Sequence, residues 1–140
     1  GTIAWLAADQ PEQARAHVVQ AMSKWEGEAF YLQHQFGLIG HLQVDLYVGD
    51  WRTAQARLAD VWPRFRKSNR SRPQLLRITM HDLRARTALL AAKSGTDPYK
   101  FLKSAAADAR GIERERMAWS TPIARLIRAG IASDVAKAQQ

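Results

Sequence analysis

Residues 38 to 62, LIGHLQVDLYVGDWRTAQARLADVW, decide the fold. Apolar side chains at Leu38, Ile39, Leu42, Leu46 and Tyr47 recur at helical spacing, and Ala54, Leu58 and Val61 recur in the same way after Gly49-Asp50. The stretch predicts two antiparallel helices joined by a tight turn. Gly49 suits a left-handed close to the first helix, and the Asp50 carboxylate suits the free amides that open the second.

Working upstream, the spacing predicts a long helix over residues 30–48 that is apolar on most of its circumference and so packed between neighbours. Gly37 and Gly40 each weaken that helix by about 1 kcal/mol relative to Ala, which close approach of another helix would explain. Residues 25–29 form a connection around Gly27. Before it, a helix from Pro11 to about Lys24 carries Ala14, Val18, Ala21, Met22 and Trp25 on one face, and residues 1–8 read as a helix end.

Downstream, Pro63 ends or kinks the helix that begins at Trp51, and residues 64–70 form a polar, basic connection. Ser71-Arg72-Pro73-Gln74 has capping-box spacing and opens a helix to about Ser94, closed by Gly95. Asp97-Pro98 starts another to about Met117, and Ser120-Thr121-Pro122 starts the last, through Ile123, Leu126, Ile127 and Ile131. No segment alternates as a strand does. The expected class is all-α, with about six to seven helices.

Repetition is visible along the chain. Gln13-Ala14-Arg15 recurs as Gln55-Ala56-Arg57, and Gly49-Asp50 is followed by Gly95-Thr96-Asp97. Spacings of ~35 to 47 residues are those of stacked helical hairpins, each with an apolar face it cannot bury alone. This predicts an α-solenoid of antiparallel hairpins with a concave surface.

With 140 residues and 46% hydrophobic content, the chain fits a single helical-repeat domain over residues 1–140. The absence of Cys excludes a disulfide framework, a thiolate metal site and a Cys nucleophile, and suits a cytoplasmic setting. No apolar run approaches the ~20 residues of a membrane span, so no membrane partner is expected. The chain opens on Gly1, and Ile3 to Leu6 read as a helix already under way, so a C-terminal fragment of a longer protein is expected.

The central hairpin resembles a tetratricopeptide repeat. Gly49, Asp50 and Trp51 match that family's turn and following aromatic, Ala54 its small residue, and Leu58 and Val61 its next packing positions. The first helix departs, with Leu38, His41, Leu42 and Asp45 where the repeat favours Trp, Leu, Gly and Tyr. More widely, FYLQHQFGLIGHLQVDLYVGD, LLRITMHDLRARTALLAA and DARGIERERMAW resemble the helical-repeat regions that end some large bacterial Ser/Thr kinases and related signalling proteins. The resemblance implies a regulatory, protein-binding module, with catalysis in another domain.

The formal net charge of +8 is unevenly placed. Residues 61–86 hold Arg64, Arg66, Lys67, Arg70, Arg72, Arg77, Arg84 and Arg86 against the single acid Asp82. A field concentrated in this way draws acidic partners. Arg77 and Arg84 are seven apart and share a helix face, Arg70 precedes them, and the three are candidate anchors for a carboxylate or phosphate. Tyr47 and Trp51 flank the central turn and are the candidate aromatic anchors; Trp5, Trp25, Trp62 and Trp119 read as wedges between hairpins. Nucleic acid is the alternative partner, although no aromatics for base stacking interleave the basic window.

Catalytic signals are lacking. There is no phosphate loop, nucleophile elbow or zinc-protease motif. His34, His41 and Asp45 share a face, but a metal needs a converging geometry, and ordinary polar roles are expected. His81 and Asp82 point to different faces, and Glu113-Arg114-Glu115-Arg116 reads as a solvated, salt-bridged surface. No enzyme, metal or cofactor is expected. The reading is a non-catalytic scaffold binding a protein, a peptide or a sister domain, and the alternative a basic helical module of a transcriptional regulator.

Overall fold

The turn at Gly49 forms as its residues require. Gly49 takes φ 79°, and the Asp50 amide donates back to the Asp45 carbonyl at 2.8 Å, the long closing bond of a left-handed helix end. The Asp50 carboxylate then accepts from the Thr53 amide at 3.1 Å and the Thr53 hydroxyl at 2.6 Å. Forty residues earlier the same device recurs: Asp9 takes φ 55°, and the Gln10 amide reaches the Trp5 carbonyl at 2.9 Å.

This computed structural model describes residues 1–24, 32–68, 73–95 and 97–138. Among them the elements are α1 (Thr2–Ala7), α2 (Pro11–Met22), α3 (Leu32–Tyr47), α4 (Trp51–Ser68), α5 (Gln74–Ala92), α6 (Pro98–Arg114) and α7 (Thr121–Ala138), with no strand. The all-α expectation holds. The chain divides into two units, Gly1–Arg57 and Leu58–Gln140, with the boundary inside α4.

In the first unit α1 packs on α2 and α3, and α2 packs on α3. Gly37 and Gly40 sit where those helices approach. A Cβ at Gly40 would lie 2.8 Å from Val18 and 3.3 Å from Thr2, and one at Gly37 would enter the Met22 side chain. The core is Ala14 and Val18 of α2 with Ile39, Leu42 and Val44 of α3.

In the second unit α5, α6 and α7 contact one another in every pairing. Small residues allow this: Ala85, Ala88, Ala105, Ala109 and Ala124 are buried beside Ile78, Ile112 and Ile127. Leu89 of α5 meets Gly130 of α7, and His81 of α5 meets Gly111 of α6. Gly95, at φ 80°, closes α5, and the Asp97 carboxylate accepts from the Lys100 amide to open α6.

Two expectations are corrected. Of the two outcomes expected at Pro63, an end to the helix does not occur: α4 runs to Ser68, so residues 64–68 are helix and not connection. Pro63 and Ala59 both lie on the exposed side, so the carbonyl that loses its donor meets water; on the other side Val61 and Phe65 are buried, and the Trp62 and Phe65 rings stack at 4.9 Å. The Gln74 side-chain amide donates to the carbonyl and carboxylate of Glu115; the expected capping box rests on Ser71, which with Arg72 lies outside the described residues. Finally, α6 stops at Arg114, just before Arg116 turns to φ 53°. Trp25, the connection around Gly27 and the expected start of α3 near residue 30 also lie outside the described residues.

Candidate functional site

Each unit holds one fully buried aspartate, and the candidate partner-binding arginines lead to the second. On α5, Arg77, His81 and Arg84 follow at helical spacing and share one face. Opposite them on α6, Asp108 sits on the apolar face formed by Ala105, Ala109 and Ile112, with no exposure at all. Arg84 Nε donates to both Asp108 oxygens, at 3.1 and 2.8 Å, and His81 Nδ1 lies 2.7 Å from Oδ1. A carboxylate only accepts, so Nδ1 carries the proton.

The guanidinium of Arg84 also lies 3.6 Å over the Trp62 ring, and Trp62 and Phe65 both meet the His81 imidazole edge-on. One turn before His81, Arg77 forks onto Glu115 at 2.7 and 2.6 Å. Those bonds, with help from Gln74, hold the Glu115 carboxyl below its usual range and raise Arg77. Glu115 therefore departs from the expected solvated surface, because its carboxylate turns in to Arg77. Glu113 keeps that character, in an exposed pair with Arg128.

In the first unit the buried acid is Asp45 of α3. Arg15 of α2 donates to Oδ1 at 3.1 Å and Arg57 of α4 to Oδ2 at 2.8 Å. These are the two arginines of the repeated Gln-Ala-Arg triplet, so the repetition marks one carboxylate held from two sides. Beside them His41 is partly buried; burial first, then the Arg57 charge, lowers its pKa.

Of the candidate anchors, Arg77 and Arg84 are thus brought to one face and engaged by carboxylates, Arg84 by Asp108 of α6 and Arg77 by Glu115 just past its end. Tyr47 is exposed and its hydroxyl donates to Asp9 at 2.7 Å, which raises its pKa. Trp51 opens α4 with the Arg52 guanidinium 4.6 Å over its ring. Arg70 lies outside the described residues. Sequence reasoning missed Asp108 and Glu115 as the counter-charges. A lone Asp in the Ala-rich apolar face of SAAADARG was the available signal for the first.

Chemically, these clusters orient helices. Among the described residues no group of three or more His, Cys, Asp or Glu is placed to hold a metal ion, and no helix is long and apolar enough to cross a membrane.

Two open grooves lie in the second unit. One, of about 320 Å³, is lined by Asp82, Arg86 and Leu89 of α5 and Ile123, Leu126 and Ile127 of α7. The other, of about 690 Å³, lies where the end of α5, the start of α6 and the end of α7 meet. Its wall is mainly apolar, from Ala92, Pro98, Tyr99, Leu102 and Val135, with Lys93, Asp134 and Lys137 as its charged members. Comparison with known protein families, curated proteins and solved structures gives no match to this chain.

Proposed function

We propose that this chain is a non-catalytic scaffold of helical hairpins that binds a protein, a peptide segment or a sister domain of its own chain. Large apolar side chains displayed at the surface of the second unit carry the reading. Tyr99 is 76% exposed and Leu126 73%, and each stands at an open groove, with Leu75 and Trp119 also exposed. Exposed apolar groups beside concave surface favour a partner. Their setting supports a tetratricopeptide-like stack: α5 and α7 both pack on α6, and their C-terminal ends meet at its start, as the leading helices of successive hairpins do. Such a module suits the regulatory, cytoplasmic end of a bacterial signalling protein whose kinase or other catalytic domain lies elsewhere.

The test is retention on the immobilised 140-residue chain of a partner or parent domain at low salt, lost on Leu126→Glu. A surface that retains nothing, or retains the same material after that change, overturns the reading.

The end of α4 favours one alternative, a basic helical module that binds nucleic acid. Continuation through Pro63 places Arg64, Arg66 and Lys67 on exposed turns. Labelled duplex DNA decides it: binding would fall steeply with salt, and absence of binding at low salt removes the alternative.

A further inference from the structure

The larger groove contains a polar atom that the fold leaves unused. Asp134 Oδ2 is buried, and no described residue donates a hydrogen bond to it. A buried carboxylate oxygen without a donor is unfavourable unless something supplies one. Around it the groove offers Tyr99, Leu102 and Val135 as apolar contact, while the exposed Lys93 and Lys137 put two cations among the lining residues.

We propose that this groove takes the N-terminal end of an amphipathic helix whose first turn is acidic. Three requirements meet in that one occupant. The first turn of a helix carries amide N–H groups with no internal acceptor, which are the donors Asp134 lacks. Acidic residues favour that same turn and there complement Lys93 and Lys137. The apolar stripe that follows matches Tyr99, Leu102 and Val135. Asp134, whose Oδ2 is enclosed in the free chain, turns its carboxylate into the groove and acts as an N-cap supplied from outside the bound helix. A helix with a basic first turn satisfies Asp134 but meets two like charges; a fully apolar one satisfies Asp134 and leaves Lys93 and Lys137 without a counter-charge.

The proposal rests on the scaffold reading and names its partner chemistry. Its probe is an N-acetylated amphipathic peptide of roughly 15 residues, long enough to populate a helix, with Glu at its first three positions and a Leu stripe. The control carries Lys at those three positions. Titrated into the ¹⁵N-labelled 140-residue chain, the Glu peptide is expected to shift the amide signals of Lys93, Tyr99 and Val135. The Lys peptide is expected to bind at least about tenfold more weakly, the size of one lost charge-assisted hydrogen bond.

Asp134→Leu is expected to weaken the Glu peptide by a similar factor, and Lys93→Glu with Lys137→Glu to reverse the preference between the two peptides. Tyr99→Ala, at a ring that is 76% exposed, provides a second variant that leaves the core untouched and is expected to weaken both peptides alike. Equal binding of the two peptides overturns the proposal, as does an unchanged affinity in Asp134→Leu. Signals shifted only on another face overturn this site while leaving the scaffold reading standing, and silence with both peptides overturns it with retention of a partner still deciding the broader reading.

Discussion

The two buried aspartates solve one problem in different ways. Asp45 receives a guanidinium from each of two helices, Arg15 on α2 and Arg57 on α4, and so ties three helices together. Asp108 receives both of its partners from one helix, His81 and Arg84 on α5, and ties two. Their surroundings differ more than their geometry. The arginines at Asp45 remain about a third exposed, 32% and 34%, whereas His81 is 14% and Arg84 25% exposed, with Arg84 stacked on Trp62. What a buried carboxylate contributes therefore depends on whether its partners can return to water without it.

Removing the acids tests this most directly. Asp108→Ala is expected to destabilise the chain by about 3–5 kcal/mol, because it strands the Arg84 guanidinium, which cannot be hydrated without unstacking Trp62, and the His81 ring N–H beside it. Asp45→Ala is expected to lose less, about 1–3 kcal/mol, since Arg15 and Arg57 can swing outward. Urea denaturation of both variants measures the difference; equal losses would show that partner exposure is irrelevant.

The cationic side gives a smaller effect with the same order. Arg84→Met leaves Asp108 with His81 alone and removes the ring stack, an expected loss of about 2–3 kcal/mol. Arg57→Met leaves Asp45 still bonded to Arg15, an expected loss of about 1 kcal/mol. Trp fluorescence adds a signature to the urea curves: a native spectral change in Arg84→Met and none in Arg57→Met. A silent Arg84→Met would break the link between Trp62 and the ion pair.

The glycines at the two helix contacts separate in the same manner. A Cβ at Gly111 would stand 2.8 to 3.0 Å from three atoms of the His81 ring, which Asp108 and the Trp62 and Phe65 rings hold in place. Gly111→Ala is expected to cost about 1–2 kcal/mol after the gain in helix propensity. At Gly37 the obstacle is the flexible end of Met22, which can move aside, so Gly37→Ala is expected to be neutral or to stabilise by up to about 1 kcal/mol. Thermal melts read both; a large loss at Gly37 would mean that Met22 is as fixed as His81.

These contrasts also mark how far the sequence could be read. The turn at Gly49-Asp50, the cap at Asp97 and the need for close approach at Gly37 and Gly40 were legible, because each depends on a backbone conformation or a missing Cβ within a few residues. Pro63 misled because its local penalty is outweighed by burial of Val61 and Phe65 on the opposite side of α4, which only tertiary packing supplies. The basic window was legible only in part, for a related reason. Its charges were counted along the chain, while the acids that answer Arg77 and Arg84 come from the residue just after α6 and from α6 itself, 38 and 24 residues away. For the groove, the sequence offered no signal: Asp134 becomes distinctive only when its oxygen is enclosed beside Tyr99 and Lys93.

The smallest effect is the one that distinguishes the units by pH. His41, lowered from its ordinary 6.5 by burial and by Arg57, resists protonation in the folded chain more than in the unfolded one. Its contribution to the first unit is therefore complete above about pH 6.5 and lost as pH falls from there through the lowered folded value. Glu115, lowered from 4.5 by its bonds from Arg77, leaves the second unit undisturbed in that range; its contribution goes only as pH falls below about 4.5. Asp82 opposes Glu115, since burial raises it above 3.8 and its contribution is present below that value and lost as pH rises through the folded one. Hydrogen exchange resolves the two units in one experiment. Protection at Leu42 and Val44 is expected to fall first on acidification, ahead of Ile78 and Ala109, and His41→Gln is expected to abolish that early loss. Simultaneous loss in both units, or an early loss that survives His41→Gln, would place the pH response outside these two clusters.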